Sequence, residues 1–105
     1  MTFVAIGRDD AGEHEALGVV EDFVSPGGDR AEYSVLVRSD VAGSGLGLAL
    51  MQKVITYCRA QKVASIFGLV LRKNVRMLGL CAKLGFVVTD SADDGPDMVK
   101  ATLTL

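Results

Sequence analysis

The sequence is poor in residues that bind metals or form disulfide bonds. It contains one histidine, His14, and two cysteines, Cys58 and Cys81, which do not form a Cys-x-x-Cys pair. A structural zinc site needs about four such ligands, and a disulfide framework needs several paired cysteines. We therefore predict no metal site, assign no role to His14, and expect both cysteines to act as small buried hydrophobic residues.

Nucleic-acid binding and membrane insertion also lack their usual signals. Tryptophan is absent, aromatic residues make up 6% of the chain, and there is no basic tail, which argues against a nucleic-acid partner. No apolar run approaches the roughly 18 residues of a membrane-spanning helix, and the first residues lack the basic region of a signal peptide. These absences predict a soluble, cytoplasmic protein without a membrane partner.

The remaining composition indicates one folded domain. The chain has 105 residues, of which 50% are hydrophobic and only two are proline, and its mean hydropathy is +0.35. This apolar content is sufficient to offset the conformational entropy lost on folding, and the length suits a single core. We therefore treat residues 1–105 as a single domain.

Charge is segregated along the chain. Residues 1–34 carry two basic and eight acidic side chains, a net charge of −6, whereas residues 35–86 carry eight basic side chains and only Asp40, a net charge of +7. The last 19 residues have a net charge of −3. A basic middle in an acidic protein is typical of a local site for an anionic ligand, although solvent-exposed helix faces would give the same count.

The hydrophobic pattern predicts a mixed α/β fold. Period-two patterns and turn signals predict strands, and apolar residues at helical spacing predict two helices, the second capped by Asn74. The strand from 31 to 38, the first helix and the strand from 64 to 71 should form a right-handed parallel unit, with antiparallel hairpins at both ends of the chain. The predicted strands are Phe3–Ile6, Ala16–Val24, Ala31–Arg38, Ala64–Leu71, Gly85–Thr89 and Met98–Leu105, and the first helix runs from Leu46 to about Gln61.

A glycine-rich loop separates the third strand from the first helix. Gly43, Gly45 and Gly47 alternate with Ser44 and Leu46 directly after Asp40-Val41-Ala42. Such a loop lets the backbone approach a ligand closely, and the free N–H groups at a helix start bind anions such as a pyrophosphate. The spacing fits neither the Rossmann nor the Walker pattern, and a tight strand-to-helix turn alone would also explain the glycines.

The sequence around this loop resembles the GNAT acetyltransferase superfamily. The resemblance lies in Val35–Met51 with its Gly-x-Gly-Leu-Gly, in Asn74, and in Ala82-Lys83-Leu84-Gly85-Phe86. Within the superfamily, Ala31–Asp40 and Asn74–Phe86 are most similar to the acetyltransferase domain of Pat-type protein lysine acetyltransferases. The resemblance covers nearly the whole chain and implies the GNAT fold, a mixed and mostly antiparallel sheet with a central parallel strand pair.

The resemblance also implies a place for acetyl-CoA. The acetyl donor would lie in a gap between the strands at 31–38 and 64–71, with its pyrophosphate on backbone amides of the loop. Its 3′-phosphate would lie near basic residues of the central segment. Asn74 would contact the donor, although a plain helix cap explains it equally well. The implied donor-binding residues are Leu36, Val37, Ala42, Gly43, Ser44, Gly45, Leu46, Gly47 and Asn74.

By the same resemblance, Glu32 is the general base and the Leu36 N–H is the oxyanion donor, with the N–H groups of Val35 and Val37 as alternatives. The implied reaction is acetylation of a protein lysine ε-amine, for example on an acyl-CoA synthetase. The alternatives are acetylation of a small-molecule amine and an acyl-CoA-binding regulatory module without turnover. Glu32 as an ordinary exposed strand residue also stays open.

The sequence departs from the GNAT pattern in three ways. Ala42 and Ser44 replace residues that are often Gln, Arg or another basic residue, which would leave phosphate binding to backbone amides. Cys81 replaces a tyrosine that acts as general acid in many members. The first strand and first two helices of the fold have no counterpart. We therefore expect a fragment of a longer chain or a short form completed by a partner, and self-association through the exposed sheet.

Overall fold

The computed structural model describes the backbone of residues 1–105 and every side chain except that of Ala92. Over these residues the chain forms a six-stranded sheet, two α-helices and two short 3-10 turns. The strands are β1 (Thr2–Arg8), β2 (His14–Val24), β3 (Arg30–Val37), β4 (Ser65–Leu71), β5 (Val87–Asp90) and β6 (Met98–Thr104); the helices are α1 (Leu46–Ala60) and α2 (Val75–Leu84).

The sheet has the strand order β1-β2-β3-β4-β6-β5. Only β3 and β4 are parallel, and all other neighbours are antiparallel. This confirms the predicted mixed sheet with a central parallel pair connected through α1. The order of elements is as predicted, and β5 begins later than expected because Gly85 ends α2 in the left-handed conformation and Phe86 is buried in the core.

The parallel pair is short. Arg30, Ala31 and Glu32 pair with Ser65, Ile66 and Phe67, and the pairing then stops. Beyond this point β3 remains bonded to β2 as far as Val37, and β4 remains bonded to β6 as far as Leu71. The two central strands therefore separate, and a gap opens in the middle of the sheet.

Both helices cover the same face of the sheet. The buried side of α1, which includes Leu50, Met51 and Val54, packs against β1, β2 and β3. Alternation along the strands places Val20, Ile66 and Val99 in the same core. The opposite face has no helix among the described residues, and it leaves large apolar side chains exposed on several strands: Val4, Ile6, Phe23, Leu36 and Leu71. Self-association through this face stays a prediction.

Tyr33 connects the two halves of the sheet beneath α2. Its ring lies against Gly68 of β4 and meets the Phe86 ring edge to face, with the centroids 5.6 Å apart. Its hydroxyl lies 3.4 Å from the Cys81 sulfur, also in the core. A side chain at position 68 would overlap with this ring, so Gly68 provides the space that Tyr33 occupies.

Two further absences hold for the part of the chain that the structure describes. It contains no cluster of three or more His, Cys, Asp or Glu side chains placed to hold a metal ion. Its helices do not include one that is both long and apolar enough to cross a bilayer.

Replacing Gly68 with alanine should destabilise the fold. The new methyl group would overlap with ring atoms of Tyr33, and forcing extra volume into a packed core typically costs about 1–3 kcal/mol. The free energy of unfolding, measured by denaturant titration, should fall by about 2 kcal/mol.

Gly79→Ala is the matched control for this substitution. A Cβ at Gly79 in α2 meets no atom within 4 Å, and alanine favours a helix over glycine by about 1 kcal/mol. This variant should unfold at the same or a higher denaturant concentration. Equal stability of Gly68→Ala and the wild type would contradict the contact with Tyr33.

Candidate active site

The glycine loop forms the turn from β3 into α1. Gly43 and Gly45 have φ angles of 88° and 93°, a left-handed conformation that glycine adopts without strain. Gly45 is the N-cap of α1 and supplies no capping side chain. The first N–H groups of the helix therefore remain available to an anionic ligand, as they do at other uncapped helix starts.

A cavity of about 450 Å³ lies between this loop, the end of β3 and one side of α2. Apolar side chains, including Val35, Leu48 and Leu80, form much of its wall. The Arg76 guanidinium reaches the loop from α2: its Nη1 lies 3.2 Å from the point where a Cβ of Gly43 would be. Lys83, two turns further along α2, lines the same cavity. The cavity is thus apolar in its walls and basic beside the loop.

Four of the eight basic residues of the central segment either pair with acidic residues or line a cavity. Arg38 pairs with Glu15 and Asp40, and Arg72 pairs with Asp90. Arg38 holds the pKa of the Asp40 carboxyl below its ordinary value through their side-chain hydrogen bonds. The charge of Arg38 is therefore compensated locally. Arg76 and Lys83 are the cavity-lining cations of this segment within the described residues.

Glu32 lies at the gap between β3 and β4. A second cavity, of about 300 Å³, occupies this gap and is lined by Glu32, Ser34, Leu69 and Met98 from the helix-free face. The two cavities adjoin, because Val35, Asn74 and Met77 line both of them. The loop cavity and the cavity beside Glu32 are therefore neighbours that meet at these three residues, next to the opening between β3 and β4.

Asn74 is positioned for both predicted roles. Its side-chain oxygen accepts a hydrogen bond of 3.2 Å from the Met77 N–H, which makes it the N-cap of α2. The same residue lines both cavities. Asn74 therefore caps α2, and its position beside both cavities also allows it to contact a ligand.

The pairing of β2 with β3 contradicts the role expected for the Leu36 N–H. The Ser25 N–H donates to the Arg30 carbonyl, and the Arg38 N–H donates to the Leu17 carbonyl. Because antiparallel ladders alternate, the even-numbered residues between these ends bond to β2, and this includes Leu36. The odd-numbered Val35 and Val37 direct their N–H groups to the gap. Leu36 lines the loop cavity, but its N–H is engaged on the other side of the strand.

The model of the acetyltransferase (GNAT) family matches residues 3–86 of the chain. The chain belongs to this family. The match runs from β1 to α2 and includes all residues that line the loop cavity and all that line the second cavity except Met98. The superfamily expected from the glycine loop and the Lys-Leu-Gly-Phe segment is thus confirmed.

Other proteins resemble parts or all of this GNAT domain. An L-methionine sulfoximine/L-methionine sulfone acetyltransferase from Pseudomonas aeruginosa is 38% identical over 58 residues, which are 55% of this chain and 34% of the relative. A domain from Methanocaldococcus jannaschii has a TM-score of 0.82 at 17% identity and covers 99% of this chain and 66% of its own. The GNAT domain of S. lividans PAT has a TM-score of 0.75 at 22% identity, over 87% and 55% of the two chains. This chain therefore spans only part of each relative's length.

Most of the predicted donor-binding residues of this GNAT domain come together. The loop cavity is lined by Leu36, Val37, Ala42, Gly43, Gly45, Gly47 and Asn74, whereas Ser44 and Leu46 do not line it. The Ser44 hydroxyl instead donates to the Val41 carbonyl, and the Leu46 side chain packs against the core. For these two residues, only the backbone remains available for the predicted contact.

Sequence reasoning missed the α2 side of the GNAT cavity. Arg76 and Lys83 are seven residues apart, which places them on one face of a helix. Their spacing was a usable signal, but the side of the helix that faces the loop depends on how α2 packs. The same holds for Met77 and Leu80, which line the cavity between them.

Cys81 is structural in this GNAT domain. It is fully buried, bonded to the Tyr33 hydroxyl, and lines neither cavity. Burial raises the pKa of the Cys81 thiol, and the hydrogen bond with Tyr33 opposes this rise. Burial, together with the nearby Asp22 carboxyl, raises the pKa of Cys58 from 9.0 to about 11.

Both thiols should therefore be protected in the native protein. Thiolates are the reactive form, so at pH 8 a thiol reagent such as DTNB should modify the native thiols at least tenfold more slowly than those of the urea-unfolded chain. The folded state holds the Cys58 proton more tightly than the unfolded state does. The stability that this protonated thiol contributes is therefore complete below about pH 9 and is lost as the pH rises towards about 11. Rapid modification of either thiol in the folded protein would contradict the burial of both.

Proposed function

We propose that this GNAT domain transfers an acetyl group from acetyl-CoA to a primary amine. The observation that carries the proposal is the pair of adjoining cavities, one at the glycine loop and one at the gap between β3 and β4 beside Glu32. Two adjoining cavities suit a long donor whose anionic end binds at the loop and whose thioester lies at the gap near Glu32. Acetyl-CoA is the donor associated with this family.

The residues around the loop suit the diphosphate of that donor. Backbone N–H groups of Ala42–Gly47 and the start of α1 would donate hydrogen bonds to its oxygens. Arg76 and Lys83 would supply the positive charge that Ala42 and Ser44 lack. The Val35, Leu48, Met77 and Leu80 side chains would then contact the apolar parts of the pantetheine arm.

Glu32, which lines the second cavity, would act as the general base. An amine is protonated near neutral pH and must lose a proton before it can attack the thioester carbonyl. Glu32 would take that proton, and the neutral amine would then attack the carbonyl to form the C–N bond. The C–S bond would break, and the second proton lost by the nitrogen would go to the departing CoA thiolate, so that the products are the amide and the CoA thiol. The Val35 N–H, which points to the gap, would stabilise the negative charge on the carbonyl oxygen in place of Leu36.

Two classes of acceptor are compatible with this geometry. The relative that is 38% identical acetylates L-methionine sulfoximine and L-methionine sulfone, which supports a small amino-acid-type amine. The likeness to the S. lividans PAT domain, and the openness of the helix-free face around Glu32, support the protein lysine expected from the sequence. A comparison of the two acceptor classes on one enzyme preparation decides between them.

Glu32→Gln should abolish transfer without affecting donor binding. The amide keeps the size of the side chain but cannot accept the proton, and general bases typically contribute about 10²–10⁴-fold to the rate. Release of CoA with an amine acceptor should fall by at least 100-fold, while the Kd for acetyl-CoA, measured by calorimetry, should stay within twofold of the wild-type value.

Glu21→Gln is the matched control for Glu32→Gln. Glu21 lies on the neighbouring strand, on the same face of the sheet, and lines neither cavity. This variant should keep the wild-type rate. If Glu32→Gln also kept the wild-type rate, Glu32 would not be the base. If neither the wild type nor the variants turned over any amine, the result would favour a binding module.

Arg76→Gln should weaken acetyl-CoA binding. Hydrogen bonds to charged groups contribute about 1.5–3 kcal/mol, so the Kd should rise by roughly tenfold or more, and the difference should shrink at high salt because the lost interaction is ionic. Calorimetry at two salt concentrations measures both effects.

Arg59→Gln serves as the control for Arg76→Gln. Arg59 is an exposed arginine in the last turn of α1 and lines neither cavity. Its substitution removes the same charge and should leave the Kd unchanged. Equal Kd values for Arg76→Gln and the wild type would show that the backbone amides alone bind the phosphates.

A further inference from the structure

The helix-free face carries an aromatic ring flanked by two cations where the gap begins. The Arg30 guanidinium carbon lies 4.7 Å from the centroid of the Phe67 ring, and the Lys100 ammonium lies 5.1 Å from the same centroid. Phe67 is also the direct neighbour of Glu32 in the last residue pair that joins β3 to β4. The ring with its two cations, here called the Phe67 cluster, therefore adjoins the proposed base.

The charges of the Phe67 cluster have no acidic partner in the fold. Among the side chains that the structure describes, neither Arg30 nor Lys100 has a carboxylate oxygen within 4.0 Å. Arg38 and Arg72, in contrast, are paired with acidic residues. Contact with the aromatic face holds both cations in place, and their hydrogen-bond donors remain available to an external anion.

The position of the Phe67 cluster relative to the base sets the size of that ligand. Paired residues on neighbouring strands lie about 4.8 Å apart, so Glu32 and Phe67 are about one small molecule's width apart on the same face. A ligand whose carboxylate contacts Arg30 and Lys100 can therefore present an amine, a few atoms away, to Glu32 and to the gap behind it.

We propose that Arg30 and Lys100 bind the carboxylate of the acceptor, and that the acceptor is a small amine carrying its own carboxylate, as amino acids do. This inference rests on the proposed function of the same site. Arginine suits the planar carboxylate through paired N–H donors, and lysine adds a point charge. A protein lysine is disfavoured here, because it would bring its ammonium close to two like charges and would bring no carboxylate of its own to bind them.

The test compares carboxylate and amide forms of the same acceptors. The twenty standard L-amino acids and L-methionine sulfone, each paired with its α-carboxamide, are assayed for CoA release, together with Nα-acetyl-L-lysine amide as a protein-lysine probe. The wild type should use at least one acid with a kcat/KM tenfold or more above that of its amide. It should use the lysine probe poorly.

The double variant Arg30→Gln/Lys100→Gln should lose this preference. Its KM for the preferred acid should rise at least tenfold, while its kcat/KM for the amide and its Kd for acetyl-CoA should stay within twofold of the wild-type values. The control is Lys53→Gln/Arg59→Gln, which removes the same two charges from α1. Lys53 also contacts an aromatic ring, with its ammonium 6.0 Å from the Phe3 centroid on the helix-covered face. This control should keep the acid preference.

A binding measurement separates failure of the inference from failure of the proposed function. Affinities of the preferred acid and its amide for the protein saturated with CoA are compared by calorimetry. Tighter binding of the acid that depends on Arg30 and Lys100, without turnover of any amine, would overturn the transferase and leave the carboxylate site intact. Four results would each overturn the carboxylate site. In the wild type these are equal use of acid and amide, a preference for the lysine probe, and the absence of both binding and reaction with every acid. The fourth is an acid preference that stays unchanged in the Arg30→Gln/Lys100→Gln variant.

Discussion

The early end of the pairing between β3 and β4 is the constraint on which the rest of the structure depends. Three residue pairs join these strands, and each strand then stays bonded only to its antiparallel neighbour. A sheet that opens at its centre needs support elsewhere. Here the support comes from α1 over β1 to β3, and from Tyr33, whose ring crosses to Gly68 and Phe86 beneath α2. The gap, the cavity within it and the position of Glu32 all follow from this arrangement.

The positive charge beside the glycine loop comes from a different element of the fold, the helix α2. The sequence around Gly43 lacks the polar and basic side chains that often accompany such a loop, which predicted phosphate binding by backbone amides. In the folded chain, Arg76 and Lys83 face the loop from α2. Two of the eight basic side chains of residues 35–86 therefore lie at the cavity, whereas Arg38 and Arg72 form ion pairs.

Local signals were sufficient for the element order, and long-range packing was required for the site. Alternation in Ala31–Arg38 and the glycines before Leu46 predicted β3, the turn and α1, because these patterns depend on neighbouring residues. The direction of the Leu36 N–H depends on which residues of β2 lie opposite, and no local pattern encodes that register. The Phe67 cluster combines β3, β4 and β6, so its members are far apart in the sequence. The side of α2 that faces the loop could not be predicted either, because it depends on how the helix packs against distant parts of the chain.

The gap divides the sheet into two antiparallel halves, β1-β2-β3 and β4-β6-β5, that share only a narrow backbone connection. A molecule bound in the gap contacts both halves and therefore stabilises their arrangement relative to each other. Any ligand that binds only this arrangement adds to the stability of the whole domain in proportion to the logarithm of its concentration. The melting temperature of the domain therefore rises when the gap is occupied, whatever reaction the domain catalyses. A thermal-shift assay can thus screen for molecules that bind in the gap.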